Sequence, residues 1–153
     1  MTWHISLIVA LIAILGAFHV QRYVAYKGAS RAFRSVIHSA FIGLYPTPVN
    51  WPKDNNTTMR ILEEKFPALE AAVVEFRRYL PFWKRKGFDR AWAHYISGGD
   101  RDETGANQCY WQYVAHKSEG FENGKRYSVD TTHTYKEAFK RNIDCLLSYA
   151  KEI

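Results

Sequence analysis

Five side chains in this sequence are equipped for chemistry: His94, Cys109, His116, His133 and Cys145. Imidazoles and thiolates bind zinc, and a cysteine beside a histidine can act as a nucleophile. Zinc sites usually bring their ligands in pairs a few residues apart. Here the nearest pair is Cys109 and His116, and the rest are scattered along the chain. A Cys–His hydrolase also needs a third group to orient the base and donors for an oxyanion, and no local signature supplies them. The run Asp100-Arg101-Asp102-Glu103-Thr104-Gly105 puts Asp, Asp, Thr and Gly where a calcium loop needs them. Its twelfth position is Trp111, where a bidentate Glu is required. There is no Gly-rich phosphate loop, no G-x-S-x-G and no H-E-x-x-H. The expectation is no catalytic residue, no metal and no cofactor, with a metal- or thiol-dependent enzyme built on those five residues as an alternative.

The elements that would hold such residues begin with an unusual segment. Residues 3–26 read WHISLIVALIAILGAFHVQRYVAY and carry one charge, Arg22. The apolar stretch of about 18 residues makes roughly 27 Å of helix, close to a hydrocarbon core of about 30 Å. Extending it to Tyr26 gives roughly 36 Å, enough to span with tilt. Trp3 at one end and Tyr23 and Tyr26 at the other stand where interfacial aromatic belts are expected. A cleaved signal peptide would want a basic start and a small-residue cleavage site, and neither is present. The segment is therefore read as a retained transmembrane anchor over residues 1–27, followed by a mainly helical domain over residues 28–153.

Charge sets the orientation. The chain has 153 residues and a net charge of +6, but no Asp or Glu precedes Asp54 while Arg22, Lys27, Arg31, Arg34 and Lys53 do. Beyond that point 16 basic residues face 15 acidic ones. Such a juxtamembrane excess orients the helix and meets anionic headgroups, and it is not a nucleic-acid footprint. It places the N-terminus outside and the domain in the cytoplasm. Cys109 and Cys145 are compatible with free thiols there, although two cysteines can also form one disulfide.

Hydrophobic spacing organises the rest. Phe33, Ile37, Ala40, Phe41 and Leu44 share one face of a helix over residues 29–45, and Gly28 is its one weak point, a candidate hinge. Pro46, Pro48 and Pro52 then force an extended connector with Trp51 folded back. Asp54 to Thr57 offer N-caps for a short helix over residues 59–66, and Pro67 starts another carrying Leu69, Val73, Phe76 and Leu80. Pro81 restarts the pattern with Phe88, Ala91, Trp92 and Tyr95. The corner between them interleaves Arg77, Arg78, Lys84, Arg85, Lys86 and Arg90 with Phe82 and Trp83; such a pattern is most often a solvated charged face, and it also suits anionic lipid or an acidic partner. Residues 109–117 fit either a strand or an irregular aromatic segment, and Glu122-Asn123-Gly124-Lys125 is a type I′ turn signal for a short β-hairpin. Thr134 to Glu137 is a capping box before a last helix with Phe139, Ile143, Leu146, Leu147 and Ala150 on one face.

The layout resembles an uncharacterised family of small bacterial single-pass membrane proteins. The resemblance lies in Gly43-Leu44-Tyr45-Pro46, Pro48-Val49-Asn50-Trp51-Pro52, Phe66-Pro67, Glu75-Phe76-Arg77, Phe88-Asp89-Arg90-Ala91-Trp92, Tyr95 and Leu146-Leu147-Ser148-Tyr149-Ala150. It departs over residues 100–132. It implies an inner-membrane setting and a helical body, and it brings no activity.

The combined expectation is a mainly α protein, an N-terminal transmembrane helix followed by a bundle of about four helices with a short β-hairpin insertion. Its function is expected to be that of a membrane-anchored, non-enzymatic interaction module. Its partners would be membrane lipid and either another protein or a second copy of itself, with no nucleic acid. Trp3, Arg22, Tyr23, Tyr26, Lys27, Arg31 and Arg34 would flank the membrane; Trp51, Trp83, Lys84, Arg85 and Lys86 are candidate partner or lipid contacts. A membrane-disrupting or pore-forming effector is the alternative from another class.

Overall fold

No proline interrupts the chain before Pro46, and its first part folds as a single helix, α1 (Thr2–Ala40), 39 residues long. The computed structural model describes residues 2–97, 110–122 and 125–151. The expected hinge at Gly28 is absent: the helix runs through it unbroken. A β-carbon at Gly28 would meet nothing within 4 Å, so nothing there forces the chain to bend. From Phe33 onward α1 buries the face that its spacing predicts, Phe33 and Ile37, and the turn that follows buries Phe41 and Leu44. It stops at Ala40, short of residue 45. Gly43 turns the chain at φ +84°, and a β-carbon there would approach the Asn50 side chain to 3.0 Å. The Asn50 N–H closes this turn on the Gly43 carbonyl at 2.9 Å.

The first half of α1 differs from the expectation of a membrane span. Among the described residues, no helix is long and apolar enough to cross a membrane.

The connector is pinned to the body at both ends. Tyr45 donates its hydroxyl to Asp144 at 2.6 Å, and Trp51 packs edge-on against Tyr135 and Phe139 at 5.6 and 5.3 Å. Asp54 then caps α2 (Asn55–Tyr79) by accepting from the Thr57 N–H at 2.8 Å. The two helices expected around Pro67 are one, with Pro67 inside it. An interior proline costs about 3 kcal/mol. That cost is offset because both halves bury apolar side chains: Leu62 before it, Leu69, Val73 and Phe76 after it. Phe66, immediately before the proline, stacks on Trp92 at 5.8 Å. Breaking the helix would lift one half off the core.

After the corner at Leu80 and Pro81, α3 (Phe82–Ser97) buries Phe88, Ala91 and Tyr95. The Asp100–Gly105 calcium-like run lies outside the described residues. A short 3-10 turn (Tyr110–Tyr113) follows, wedged between α2 and the last helix, so this stretch is the irregular aromatic segment and not the strand. The expected hairpin is present as β1 (Lys117–Glu122) antiparallel to β2 (Lys125–Asp130), in the register Lys117↔Asp130 to Glu122↔Lys125. Thr131 closes its base, donating its N–H to the His116 carbonyl at 3.0 Å.

The last helix, α4 (Tyr135–Ser148), buries Phe139, Asn142, Ile143, Leu146 and Leu147. The capping box does not form: Thr134 occupies the N-cap position without a side-chain hydrogen bond. Its backbone already sits in the helical region at ψ −11°, because the Thr131–Thr134 turn feeds directly into the helix. Four helices are present among the described residues, since the expected anchor and the expected first body helix form one helix and the pair around Pro67 is one. α1 packs on α2 and α3 on α4, so the second half of α1 belongs to the bundle and the first half extends beyond it.

Candidate membrane-interface site

The corner between α2 and α3 is held rigidly by its own backbone. Leu80 caps α2 by donating its N–H to the Arg77 carbonyl. Arg85 reaches back to the Leu80 and Arg78 carbonyls at 3.0 and 3.2 Å, supplying donors that a helix end otherwise lacks. Arg77 grips Asp89 with two hydrogen bonds, Nε at 2.7 Å and Nη2 at 2.8 Å, tying α2 to α3. That carboxylate, by hydrogen bond and charge, holds the Arg77 guanidinium above its usual range. The rigid corner presents Phe82 and Trp83 outward, 78% and 68% exposed, with their rings edge to face at 5.0 Å.

This corner faces α1. Between them lies a cavity of about 410 Å³. One wall is a stripe of α1: His19, Arg22, Tyr23 and Tyr26. Tyr79, Pro81, Phe82, Trp83 and Lys84 make the other. Its charged members are Arg22 and Lys84, and among the described residues no acidic side chain lines it. Ring stacking steadies the α1 wall: the Arg22 guanidinium lies 5.7 Å above Phe18, and the Lys27 ammonium 5.0 Å above Tyr23. Tyr26 locks that wall to the body by donating its hydroxyl to the Tyr149 carbonyl at 2.6 Å. Tyr149 in turn sets its ring against Phe88 at 5.5 Å.

The structure thus brings together Arg22, Tyr23, Tyr26, Trp83 and Lys84, which the sequence offers as two separate groups. The others lie elsewhere. Arg85 caps α2, and Lys86 is exposed on α3 outside the cavity lining. Arg31 is exposed and Arg34 half-buried on the body half of α1, and Trp51 is half-buried on Phe139. The Trp3 side chain lies outside the described residues. His19 and Tyr79 are walls that the sequence alone leaves unassigned. His19 carries one signal, since His19, Arg22, Tyr23 and Tyr26 recur at the spacing of a single helix face; Tyr79 carries none.

The five chemistry-bearing residues do not converge. His94 and His133 are exposed, Cys145 is an exposed free thiol, and Cys109 lies outside the described residues. His116 Nδ1 pairs with the Thr131 hydroxyl at 2.9 Å at the base of the hairpin. Among the described residues, no three His, Cys, Asp or Glu side chains come together as a metal site would need.

A second polar grouping is buried and was not expected. The Tyr113 hydroxyl donates to the Tyr95 carbonyl at 2.9 Å and accepts from Asn142 at 2.8 Å. Burial pushes Tyr113 up to about 12, against the opposing pull of its bonds to Asn142 and Gln112. Burial also raises Tyr95 and Tyr110, and their hydroxyls have no hydrogen-bond partner among the described residues. These tyrosines fill the middle of the bundle and have no route to a cavity described above. Compared with known proteins, the chain matches no family model, no curated protein and no solved structure.

Proposed function

We propose that this protein is a non-enzymatic interaction module held at the cytoplasmic face of a bacterial inner membrane, with the first half of α1 as a single-pass anchor and the N-terminus outside. One observation carries the reading. The large apolar side chains of α1 from Leu7 to Val24 are 44–66% exposed on every side of the helix, beyond the reach of the bundle. A helix apolar all round needs an apolar surrounding, and water would leave each of those side chains short of roughly 1.5–3 kcal/mol of burial. Adding residues 3–6 extends the apolar run to about 18 residues and ~27 Å, the length a bilayer core asks for. Arg22, Lys27, Arg31 and Arg34 follow it on the domain side, as cytoplasmic flanks do. The likeness to small bacterial single-pass membrane proteins supports the same setting.

A pore-forming effector would need a polar stripe along the inserted segment, and residues 7–18 offer none. An enzyme would need convergent chemistry, and the His and Cys side chains described are dispersed. Alkaline extraction of membranes, a reporter fused after Ile153 and a photo-crosslinker in place of Trp83 test the proposal together. The expected result is protein retained in the membrane pellet, a cytoplasmic reporter and one discrete crosslinked band. Protein released to the supernatant removes the anchor, and a periplasmic reporter reverses the orientation. Growth arrest with depolarisation on induction would replace the module with the pore-former.

A further inference from the structure

We infer that the cavity between α1 and the α2–α3 corner is a binding site for the headgroup of an anionic phospholipid of the inner leaflet. The inference rests on the membrane reading above and adds a ligand and a place to it. The cavity opens where α1 passes from exposed apolar side chains to the body, so a lipid standing beside the anchor meets it at headgroup depth. Its charge is complementary: Arg22 and Lys84 stand on opposite walls, with no carboxylate between them. A guanidinium suits phosphate oxygens geometrically, and an ammonium adds a point charge to the same oxygens. Tyr23, Phe82 and Trp83 supply the amphipathic surface that sits between headgroup and glycerol backbone at a bilayer interface. Phe82 and Trp83 are among the most exposed large side chains of the folded body, and the helix-end contacts of Arg85 fix them in that pose.

A generic basic flank would attract anionic lipid without regard to which residue is changed. A built site depends on Arg22 and Lys84 far more than on a lysine of equal charge nearby. The test uses full-length protein in detergent micelles supplemented with phosphatidylglycerol or phosphatidylcholine, read by native mass spectrometry as the fraction of protein that keeps one lipid. The expected result is preferential retention of phosphatidylglycerol, falling about fivefold for each of Arg22→Gln and Lys84→Gln. Lys86→Gln, on the same helix but off the cavity, is expected to leave retention unchanged. Trp83→Ala is expected to weaken retention of phosphatidylglycerol, and glycerol phosphate added in solution is expected not to displace the lipid. Equal retention of both lipids, or an equal loss from Lys86→Gln, overturns the site while the anchor stands. Displacement by glycerol phosphate would make it a site for a soluble phosphate ester instead. Release of the protein from membranes by alkaline extraction would fail the anchor itself, so the two failures are told apart.

Discussion

Phe18 and Phe33 lie on one helix, about four turns apart, and have opposite surroundings. Phe33 is stacked on Phe76 at 4.8 Å and meets Phe88 edge-on at 5.8 Å, fully enclosed. Phe18 is half-exposed, with the Arg22 guanidinium over its ring. The same contrast holds for the whole of α1 on either side of Tyr26. Helix formation is indifferent to it, since both halves are built from good helix formers. What changes is whether a second element arrives to cover the apolar side chains. In the second half α2 and α3 do so; in the first half, among the described residues, the large apolar side chains stay 44–66% exposed.

The largest expected effect separates the two halves directly. Phe139, the ring that Phe41, Trp51 and Tyr113 all meet edge-on, is expected to cost about 3–5 kcal/mol as Phe139→Ala. Phe18→Ala should move the denaturation midpoint of detergent-solubilised protein by less than about 0.5 kcal/mol. A large loss from the second would mean that the exposed half is covered by part of the fold after all.

Inside the covered half, the tyrosines sharpen the comparison between a satisfied and an unsatisfied buried hydroxyl. Tyr113→Phe strands the Asn142 amide and is expected to cost roughly 1–3 kcal/mol. Tyr95→Phe and Tyr110→Phe remove hydroxyls that have no partner among the described residues. They are expected to be neutral, or to stabilise by about 1 kcal/mol. Chemical denaturation of the three variants checks the order.

Backbone conformation gives the next pair. Gly43→Ala must hold φ +84° and crowd Asn50, and is expected to lose about 1–2 kcal/mol. Gly28→Ala, in mid-helix with open space around it, is expected to gain about 0.5–1 kcal/mol. Thermal melts of the two variants decide it, and a loss at Gly28 would bring back the hinge.

The smallest effect is electrostatic. Burial, together with the hydrogen bond to Asp144 and its charge, raises Tyr45 to about 12. Its folded value lies above its unfolded value, so the contribution is present below about pH 10 and is lost as pH rises through about 12. Burial works to raise Asp144, but the bonds from Lys140 and Tyr45 prevail and leave it lowered. Its contribution is therefore present at neutral pH and lost on acidification below the usual carboxylate range. Tyr45→Phe should flatten the alkaline limb of the stability curve by roughly 1 kcal/mol or less, since the pair is open to water.

How much of this was legible depended on range. The faces carried by Phe33 and Ile37, by Leu69, Val73 and Phe76, and by Phe139, Ile143, Leu146 and Leu147 are periodic, and each is buried as its spacing implies. The presence of the hairpin, though not its register, could be anticipated from one Asn-Gly turn signal. Local punctuation misled at Pro67, where burial outweighed it, and at Gly28, where the helix runs on through open space; the capping box at Thr134 was displaced by the turn before it. The site was half legible. Arg22 and Trp83 each stood out by type, but their lining one cavity joins positions some sixty residues apart, which no spacing rule encodes. Tyr26 with Tyr149, and Tyr113 with Asn142, are of the same long-range kind.

An unbroken α1 also has a mechanical consequence. A joint at Gly28 would let the bundle swivel independently; without one, α1 is a stiff lever whose far arm is the bundle itself. If the proposed anchor holds, a bilayer that thins makes the inserted helix lean, and the bundle must lean by the same angle. The face bearing Phe82 and Trp83 would then turn toward or away from the lipid surface. Membrane thickness would be converted, through one rigid shaft, into the attitude of the whole bundle.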